Sequence, residues 1–330
     1  MKIKPLHLSH SQKSTYQDCQ FKWYLQRIKR IRPTYLGSAL LVGTAVDNTI
    51  EHILLKQEGD YKDTFLRDMN NFQVNKKDKK LPEDILDLKF FVSDLDEALI
   101  EQDYMDEICD NLGIDSIEIP DFLEFCKAQR KKKKPLEDTE QSIFNFLAHK
   151  SLTEKGLLII EALREWIEEN VAEVHSVQKK SVLENENGDF FYLVHDFTVT
   201  LKNGRKVLID LKTSSDPKKY YPEDAASKSA QLATYYHEER EVDRVAYLVG
   251  DKKIRKREPR VRLSFVEGEI TEEFLEETFE EIEIFVDEVK EKLYIGEEAF
   301  EKNKEACAGY GGCDYCGLCW KNSMDKLEEI

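Results

Sequence analysis

The sequence lacks any run of about eighteen consecutive apolar residues, the length that an α-helix needs to cross a bilayer. Its first residues, Met1 to His7, contain no apolar segment of the kind found in secretory signal peptides. It also has no internal repeat and no low-complexity tract. These absences predict a soluble, cytoplasmic protein with no membrane partner.

The sequence is also short of basic residues and of nucleotide-binding loops. Lysine and arginine number 49 against 66 aspartates and glutamates, a net charge of −17. This balance argues against a general nucleic-acid coat protein, but a nuclease needs only a local basic surface. Basic stretches occur at 22–32, 127–134 and 252–262, and each could equally be a solvated face. No Gly-x-x-x-x-Gly-Lys-Ser/Thr loop is present, so any motor must come from a partner such as a helicase.

Seven cysteines are distributed very unevenly. Cys109 and Cys126 stand alone and are predicted to be free thiols. Four others crowd into residues 307–319, and one lies near the other end of the sequence: Cys307, Cys313, Cys316, Cys319 and Cys19. In a cytoplasmic protein such clustering indicates metal rather than disulfides, and the candidates are structural zinc and an iron–sulfur cluster.

The 330 residues can bury the core of one large domain, which we predict for 1–330. Residues 57–155 are polar with a helical pattern and are interpreted as a helical insertion or subdomain. Residues 300–320 form the cysteine-rich tail. The remaining pattern predicts helices at 9–29, 43–56, 157–174, 224–239 and 271–292, and strands at 190–201, 205–211, 245–249 and 261–266.

The most informative residues are Asp210 and Lys212, which lie in the apolar run Val207-Leu-Ile-Asp-Leu-Lys. Residues two apart on a strand point to the same face. A carboxylate inside such a strand is costly to bury unless it is paired, and a divalent cation would pair it. Two carboxylates on a cation beside a lysine are suited to phosphodiester hydrolysis. A second Asp-x-Lys, at 87–89, is rejected because its surroundings continue as a helix-like pattern without a partner strand.

The turn at Lys202-Asn203-Gly204 decides whether Asp196 joins Asp210. A two-residue Asn-Gly loop would pair 202 with 205 and would put the two aspartates on opposite faces. A three-residue loop with Gly204 in the left-handed conformation pairs 201 with 205 and places Asp196 across from Asp210. We predict the second register, with an opposite, mostly apolar face formed by Leu193, His195, Phe197, Val199, Val207, Ile209 and Leu211.

Several short motifs follow one another in the order known from one nuclease family. Residues 9–25 contain Ser-x-Ser and then Tyr-x-x-Cys-x-x-x-Trp-Tyr-Leu, and Gly43-Thr-Ala-Val-Asp47 comes next. The later motifs are Asp196, Asp210-Leu-Lys212, Gln231-Leu-Ala-Thr-Tyr235 and Cys307-x5-Cys313-x5-Cys319. Together they resemble the RecB-like branch of the PD-(D/E)XK nuclease superfamily, which includes the AddB nuclease domain, CRISPR-adaptation exonucleases and related phage enzymes.

The resemblance implies an α/β, restriction-endonuclease-like core with a mixed central sheet flanked by helices. It implies Mg²⁺ or Mn²⁺ held by Asp47, Asp196, Asp210 and the backbone carbonyl of Leu211. Lys212, with a lowered pKa, would position or deprotonate the attacking water, and Gln231 and Tyr235 would line the site. A [4Fe–4S] cluster on Cys19, Cys307, Cys313 and Cys319 would join the N- and C-terminal regions, since zinc usually uses two local cysteine pairs.

Two residues depart from the family pattern, and several functions remain open. Asp47 stands where a histidine is common, and Cys316 is a fifth cysteine that could replace one of the four ligands. The implied activity is a metal-dependent deoxyribonuclease, as an exonuclease acting on DNA ends or single strands in recombination, repair or phage replication, with a helicase or recombinase as a possible partner. The alternatives are a non-catalytic DNA-binding or assembly subunit and a CRISPR-adaptation nuclease.

Overall fold

A mixed β-sheet lies at the centre of the protein. The structure, a computed structural model, describes residues 5–70, 88–132, 134, 136–185, 188–253, 260–307, 312–325 and 327–329. In these residues one sheet has the order β1-β6-β7-β8-β9, and β5 pairs along β6. Its strands are β1 His7–Ser9, β5 Val171–Glu184, β6 Phe190–Leu201, β7 Lys206–Ser214, β8 Arg244–Asp251 and β9 Leu263–Gly268. The pairs β1–β6 and β7–β8 are parallel, and the other neighbours are antiparallel.

Four short strands form two small ladders outside this sheet. They are β2 Ile31–Pro33, β3 Leu36–Gly37, β4 Leu88–Lys89 and β10 Leu327–Glu329. Strand β2 pairs antiparallel with β10, and β3 pairs parallel with β4. The first ladder joins a segment near the start of the sequence to its last described residues.

Helices cover both faces of the sheet. They are α1 His10–Asp18, α2 Gln20–Arg27, α3 Ser38–Leu54, α4 Tyr61–Asn70, α5 Gln102–Leu112, α6 Ile119–Lys131, α7 Asp138–Asn170, α8 Pro217–Tyr220, α9 Ala230–Glu238, α10 Glu272–Ile295, α11 Lys304–Cys307 and α12 Cys316–Lys321. Helices α3 to α7 enclose one apolar core, and α1, α2, α9 and α10 enclose the other. None of the helices in the described ranges has both the length and the apolar surface of a membrane span.

Strand β7 belongs at the centre of this sheet because its residues are apolar on both faces. Val207 and Ile209 pack into the core of α3 to α7, whereas Leu208 packs into the core of α9 and α10. A strand covered by helices on both sides shows such a continuous apolar run. Asp210 comes next in this strand and is also buried, with only 2% of its surface exposed.

The β6–β7 hairpin has the predicted three-residue loop. The paired residues run from Phe197 with Ile209 to Thr200 with Lys206, and the N–H of Leu201 is donated to the carbonyl of Arg205 at 2.8 Å. Gly204 has φ +87°, a conformation that favours glycine. The predicted register is confirmed for residues 197–200. Asp196 lies one residue beyond these pairs, and its pairing with Asp210 stays a prediction.

The predicted apolar face of β6 is wrong in its first half. Leu193 packs into the core of α9 and α10, and the ring of His195 lies 6.0 Å from that of Tyr235 on α9. Phe197 and Val199 pack into the opposite core. The strand therefore changes face between 195 and 197, and a strict two-residue alternation could not predict this change.

The structure also corrects the helix predicted at 157–174. Helix α7 begins at Asp138, inside the predicted insertion, because Ile143, Leu147 and Ile159 continue one buried stripe. It ends at Asn170, and the next residues form β5, which the sequence analysis missed. Strand β5 lies along one edge of the sheet, and all of its residues are partly or fully exposed. The sequence therefore shows no apolar pattern that would predict this strand. The described residues of 57–155 are mostly helical, and their separation as a subdomain stays a prediction.

Candidate active site

Asp210 and Lys212 project from the C-terminal half of β7. The Nζ atom of Lys212 lies 2.5 Å from Oδ2 of Asp210, and the aspartate side chain is 3% exposed. Among the described residues no other donor reaches this buried oxygen. A buried carboxylate is costly without a compensating charge; the Lys212 ammonium supplies one here, and a divalent cation would also be stabilised at this position.

Asp196 is held at the point where β6 changes face. The register would place residue 195 opposite Leu211, but the N–H of Leu211 is donated to Oδ2 of Asp196 at 2.6 Å. The Oδ1 atom accepts a hydrogen bond from Nε2 of Gln178 at 3.2 Å. Gln178 has φ +47°, which is strained for a residue with a side chain. The Asp196 carboxylate thus replaces a ladder carbonyl, which orients it beside Asp210.

Asp47 approaches the same two strands from α3. Val46 and Ile50 are buried in the core of α3 to α7 and fix the orientation of this helix. Asp47 lies partly buried beside them, and burial raises its pKa to about 6; the charge of Lys212 lowers the pKa and that of Asp210 raises it. The charges of β7 therefore reach Asp47, although it is about 160 residues away in sequence.

The three carboxylates repel one another in a buried environment. Burial raises the pKa of Asp196 to about 7, and the charges of Asp210 and Asp47 raise it further. Burial also raises the pKa of Asp210, against the lowering effect of Lys212. A site that concentrates negative charge away from water is stabilised by protonation or by a cation.

Lys212 is held in its charged form by a neighbouring carboxylate. Burial lowers its pKa, but the neighbouring Asp210 carboxylate outweighs burial, so the pKa of Lys212 is raised above its ordinary value. The expected lowering depends on the charge of a bound metal as well as on burial, so it stays a prediction for the metal-bound protein. Lys212 is a cation at neutral pH and can donate hydrogen bonds but not accept a proton.

Gln231 and Tyr235 lie one turn apart on α9. The Nε2 atom of Gln231 donates to the hydroxyl of Tyr235 at 2.7 Å. Burial raises the pKa of Tyr235, and the charge of Asp210 raises it further, so α9 lies close to the carboxylates. Gln231 and Lys212 both line an open cavity of about 460 Å³, whose other wall includes residues of α1. A substrate can therefore reach Lys212 from the side of α1 and α9.

The residues suit a divalent cation by chemistry, although they are not gathered around one point. Carboxylate oxygens are the ligands that Mg²⁺ and Mn²⁺ prefer, and among the described residues Oδ2 of Asp210 has only the Lys212 ammonium beside it. However, the described residues contain no group of three or more His, Cys, Asp and Glu side chains arranged to hold a metal ion. The carboxylates of Asp196 and Asp210 thus lie on adjacent strands. All four proposed ligands, which include Asp47 and the carbonyl of Leu211, stay predictions.

The cysteines of the two ends of the chain lie near one another. The N–H of Asn303 is donated to Sγ of Cys19 at 3.5 Å. Burial raises the pKa of Cys319 to about 12, and the nearest contributing charges are those of Cys313, Cys19 and Cys307. Burial and a hydrogen bond with Cys307 raise the pKa of Cys316. Remote Cys19 therefore joins the tail cysteines in space, but among the described side chains they too form no recognised metal group.

Backbone contacts connect the two ends independently of any metal. The N–H of Phe21 is donated to the carbonyl of Glu301 at 3.0 Å, and the hydroxyl of Tyr315 to the carbonyl of Ile31 at 3.0 Å. Together with the β2–β10 ladder, these bonds hold the first helices against the tail. These contacts bring the described terminal regions together, whereas the iron–sulfur cluster that would join the tail to Cys19 stays a prediction.

Sequence reasoning missed several residues around the site. The Nε2 atom of His10 on α1 forms a hydrogen bond with the hydroxyl of Thr234 on α9 at 2.8 Å. Burial and, to a smaller extent, the charge of Lys13 lower the pKa of His10 to about 3. Gln178 belongs to no motif, because its role depends on the change of face in β6.

In the rejected Asp-x-Lys at 87–89, Lys89 lies in β4 and pairs with Asp314 at 2.7 Å, and Asp87 is outside the described residues. The predicted helix-like pattern there is wrong at β4.

Comparison with known proteins agrees with the superfamily. A sequence model of the PD-(D/E)XK nuclease superfamily matches residues 7–110. This range contains Cys19 and Asp47 but precedes β6 and β7. The match supports the superfamily and implies a nuclease hydrolase, and a central mixed sheet flanked by helices fits its restriction-endonuclease-like fold.

Other comparisons add little. No curated protein matches the chain. Among the solved structures that match is one described as "Crystal structure of SSO0001", with 11% identity, covering 74% of this chain and 84% of that chain at a TM-score of 0.28. A likeness at this TM-score carries no conclusion about fold or function.

Proposed function

We propose that the protein is a metal-dependent deoxyribonuclease that hydrolyses phosphodiester bonds, acting as an exonuclease on DNA ends or single strands. One observation carries this proposal. Asp196, half-buried, and Asp210, buried, project from the adjacent strands β6 and β7, and the ammonium of Lys212 lies 2.5 Å from Oδ2 of Asp210. Nothing in folding requires this arrangement, whereas phosphodiester hydrolysis uses it.

Each residue has a defined part in this proposal. Asp210, Asp196 and Asp47, with the carbonyl of Leu211, would hold Mg²⁺ or Mn²⁺, which supplies positive charge to the phosphate and lowers the pKa of bound water. Lys212, already a cation, donates hydrogen bonds toward the phosphate oxygens and stabilises the charge that develops there.

Residues of α9 and of the cysteine tail support this arrangement. The hydrogen bond between Gln231 and Tyr235 holds both side chains beside the carboxylates. We assign Cys19, Cys307, Cys313 and Cys319 to a [4Fe–4S] cluster with a structural role, with Cys316 as the alternative ligand. The grouping of Cys19 with the tail cysteines supports this assignment.

A second candidate is a non-catalytic DNA-binding or assembly subunit, with a helicase or recombinase as its partner. It is favoured by the separation of the carboxylates, which do not form a three-ligand group in the described residues, and by the ion pair of Lys212 with Asp210. One assay separates the two candidates. Single- and double-stranded DNA, labelled at the 5′ or the 3′ end, is incubated with Mg²⁺, Mn²⁺ or EDTA.

The deoxyribonuclease predicts metal-dependent cleavage that EDTA abolishes, and progressive shortening from an end identifies an exonuclease. Binding without cleavage under every metal condition would support the assembly subunit instead. Cleavage of an additional circular substrate, which has no ends, would indicate an endonuclease, as expected of a CRISPR-adaptation enzyme.

A further inference from the structure

A second cavity adjoins the candidate active site at the C-terminal end of β7. It has a volume of about 550 Å³, which lies in the range of sites for small molecules and would admit a nucleotide-sized group. The residues of its wall that matter here are Lys155, Ser214, Tyr220, Tyr221, Lys252 and Lys253. Neither the motifs nor the catalytic proposal uses this cavity.

Strand β7 connects the cavity directly to the catalytic residues. Thr213 and Ser214 line the cavity and follow Lys212 in sequence. Tyr221 lines it as well, and its pKa is affected by burial first and then by the charges of Lys212 and Asp210. The backbone N–H of Lys252 is donated to the carbonyl of Ser214 at 2.8 Å, which fixes Lys252 beside the end of β7. The catalytic charges and the cavity therefore share one wall.

The cavity contains more ammonium groups than carboxylates. Lys155 has a side chain that is 7% exposed and pairs with Asp96 at 3.5 Å. Asp94 accepts hydrogen bonds from the hydroxyl of Ser38 and the N–H of Phe91, both at 2.7 Å. Both carboxylates thus have partners among the cavity's own residues.

Lys252 has no such partner among the described residues. It is partly buried, and it forms no salt bridge within the described ranges of the chain; Asp94 and Lys155 affect it only at a distance. Lys253, the third lysine, is exposed at the same wall. Partial burial makes a single positive charge costly unless an anion approaches it. The aromatic ring of Tyr220 lines the same cavity and is 60% exposed. The ammonium of Lys219 lies 5.1 Å from the ring centroid, and the exposed ring can stack on a flat, unpaired base.

We propose that this cavity is a nucleotide subsite, in which Lys252 binds a phosphate group of the DNA strand next to the bond to be cleaved and Tyr220 stacks on the attached base. The inference rests on the proposed nuclease function and names how the substrate is held. The phosphate can be a terminal monoester at a strand end or an internal diester. Both are anions of the same chemistry, and the experiment distinguishes them.

The test measures binding in EDTA, so that no cleavage is needed. Fluorescence anisotropy is recorded for a single-stranded oligonucleotide with a 5′-phosphate, a 3′-phosphate or hydroxyl ends. Lys252→Gln is compared with Lys180→Gln, which removes an exposed lysine on β5 that does not line the cavity. Loss of one charged phosphate contact predicts about tenfold weaker binding for Lys252→Gln and little change for Lys180→Gln. Lys252→Arg keeps the charge and should bind like the wild type, which also controls for folding.

The three oligonucleotides identify the source of the phosphate. If Lys252→Gln removes a preference for one phosphorylated end, the subsite holds a terminal phosphate. If Lys252→Gln weakens all three equally, the subsite holds an internal phosphate. Equal affinities of Lys252→Gln and Lys180→Gln for every oligonucleotide would overturn the inference, as would a failure of the wild type to bind any of them.

The nuclease proposal is tested separately by cleavage with Mg²⁺ or Mn²⁺. Weakened binding by Lys252→Gln without cleavage by the wild type would leave the subsite in place and reject the enzyme. Cleavage by the wild type together with unchanged binding by Lys252→Gln would support the enzyme and reject the subsite.

Discussion

Replacing Asp47 with asparagine should have opposite effects on stability and on metal binding. Burial raises the pKa of Asp47 from 3.8 to about 6 in the folded protein, and this difference corresponds to about 3 kcal/mol against its charged form. Asparagine keeps the shape and removes the charge. Because the new amide needs partners of its own, we expect Asp47→Asn to stabilise the metal-free protein by about 1–2 kcal/mol at pH 8. For a chain of this size that is a Tm increase of roughly 1.5–3 °C.

The effect should depend on pH with a definite sign. Because the folded-state pKa of Asp47 is above its unfolded value, the folded protein binds more protons between about pH 4 and pH 6. This contribution to the stability of the wild type is present below pH 4 and is lost as the pH rises through 6. The advantage of Asp47→Asn should therefore be near zero at pH 4 and complete at pH 8.

Adding Mg²⁺ should reverse the order of the two proteins. At about one hundred times its Kd, Mg²⁺ stabilises the wild type by about 2.7 kcal/mol, more than the expected advantage of Asp47→Asn in metal-free buffer. Asp47→Asn should lose most of this gain. Thermal melts in EDTA and in Mg²⁺ at pH 4, 6 and 8 measure both effects. Glu51→Gln, one turn along the same helix, is the control and should change little. A lower Tm for Asp47→Asn in metal-free buffer at pH 8, together with an undiminished Mg²⁺ effect, would refute the reasoning.

Three further predictions concern the metal, the cysteines and a buried ion pair. Mg²⁺ should support cleavage about as well as Mn²⁺, because an all-oxygen ligand set suits Mg²⁺; a strict need for Mn²⁺ in the cleavage assay would count against Asp47 as a ligand. Anaerobically purified protein should contain iron and sulfide. Cys19→Ala should lose them and be less stable, whereas Cys316→Ala should keep them. Zinc in place of iron, or a cluster that survives Cys19→Ala but not Cys316→Ala, would contradict the ligand set. Asp189→Ala should cost about 2–4 kcal/mol at pH 7 in urea unfolding, because Asp189 pairs with Lys290 and accepts the N–H of Leu6 at 3.0 Å. Burial raises the pKa of Asp189 but these partners lower it more, so the difference should narrow as the pH falls below about 4; a constant difference would contradict this account.

Local rules predicted the hairpin of β6 and β7 but not the whole of β6. The loop at Gly204 and the alternation of Val207, Leu208 and Ile209 are properties of neighbouring residues, so the sequence contains them. The change of face at Asp196 depends on its carboxylate accepting the N–H of Leu211. That bond exists only once the two strands have come together.

The edge strand β5 and the charge states of the site could also not be predicted from the sequence. Strand β5 obtains its hydrogen bonds from β6 and has little apolar surface of its own, so periodicity gave no signal. The pKa of Lys212 is set by an Asp210 carboxylate 2.5 Å away, a distance that spacing cannot supply. Lys252 belonged to an ordinary basic stretch until the fold placed it beside the end of β7.

The most direct measurement of the central claim is the single-turnover cleavage rate of Asp210→Asn on end-labelled DNA in Mg²⁺. The folded variant, verified by its circular dichroism and its melting curve, should cleave about 10³-fold more slowly than the wild type, and Lys212→Ala should show a comparable loss. Lys180→Gln should cleave at the wild-type rate. A folded Asp210→Asn or Lys212→Ala protein that degrades DNA as fast as the wild type would contradict the assignment of this site.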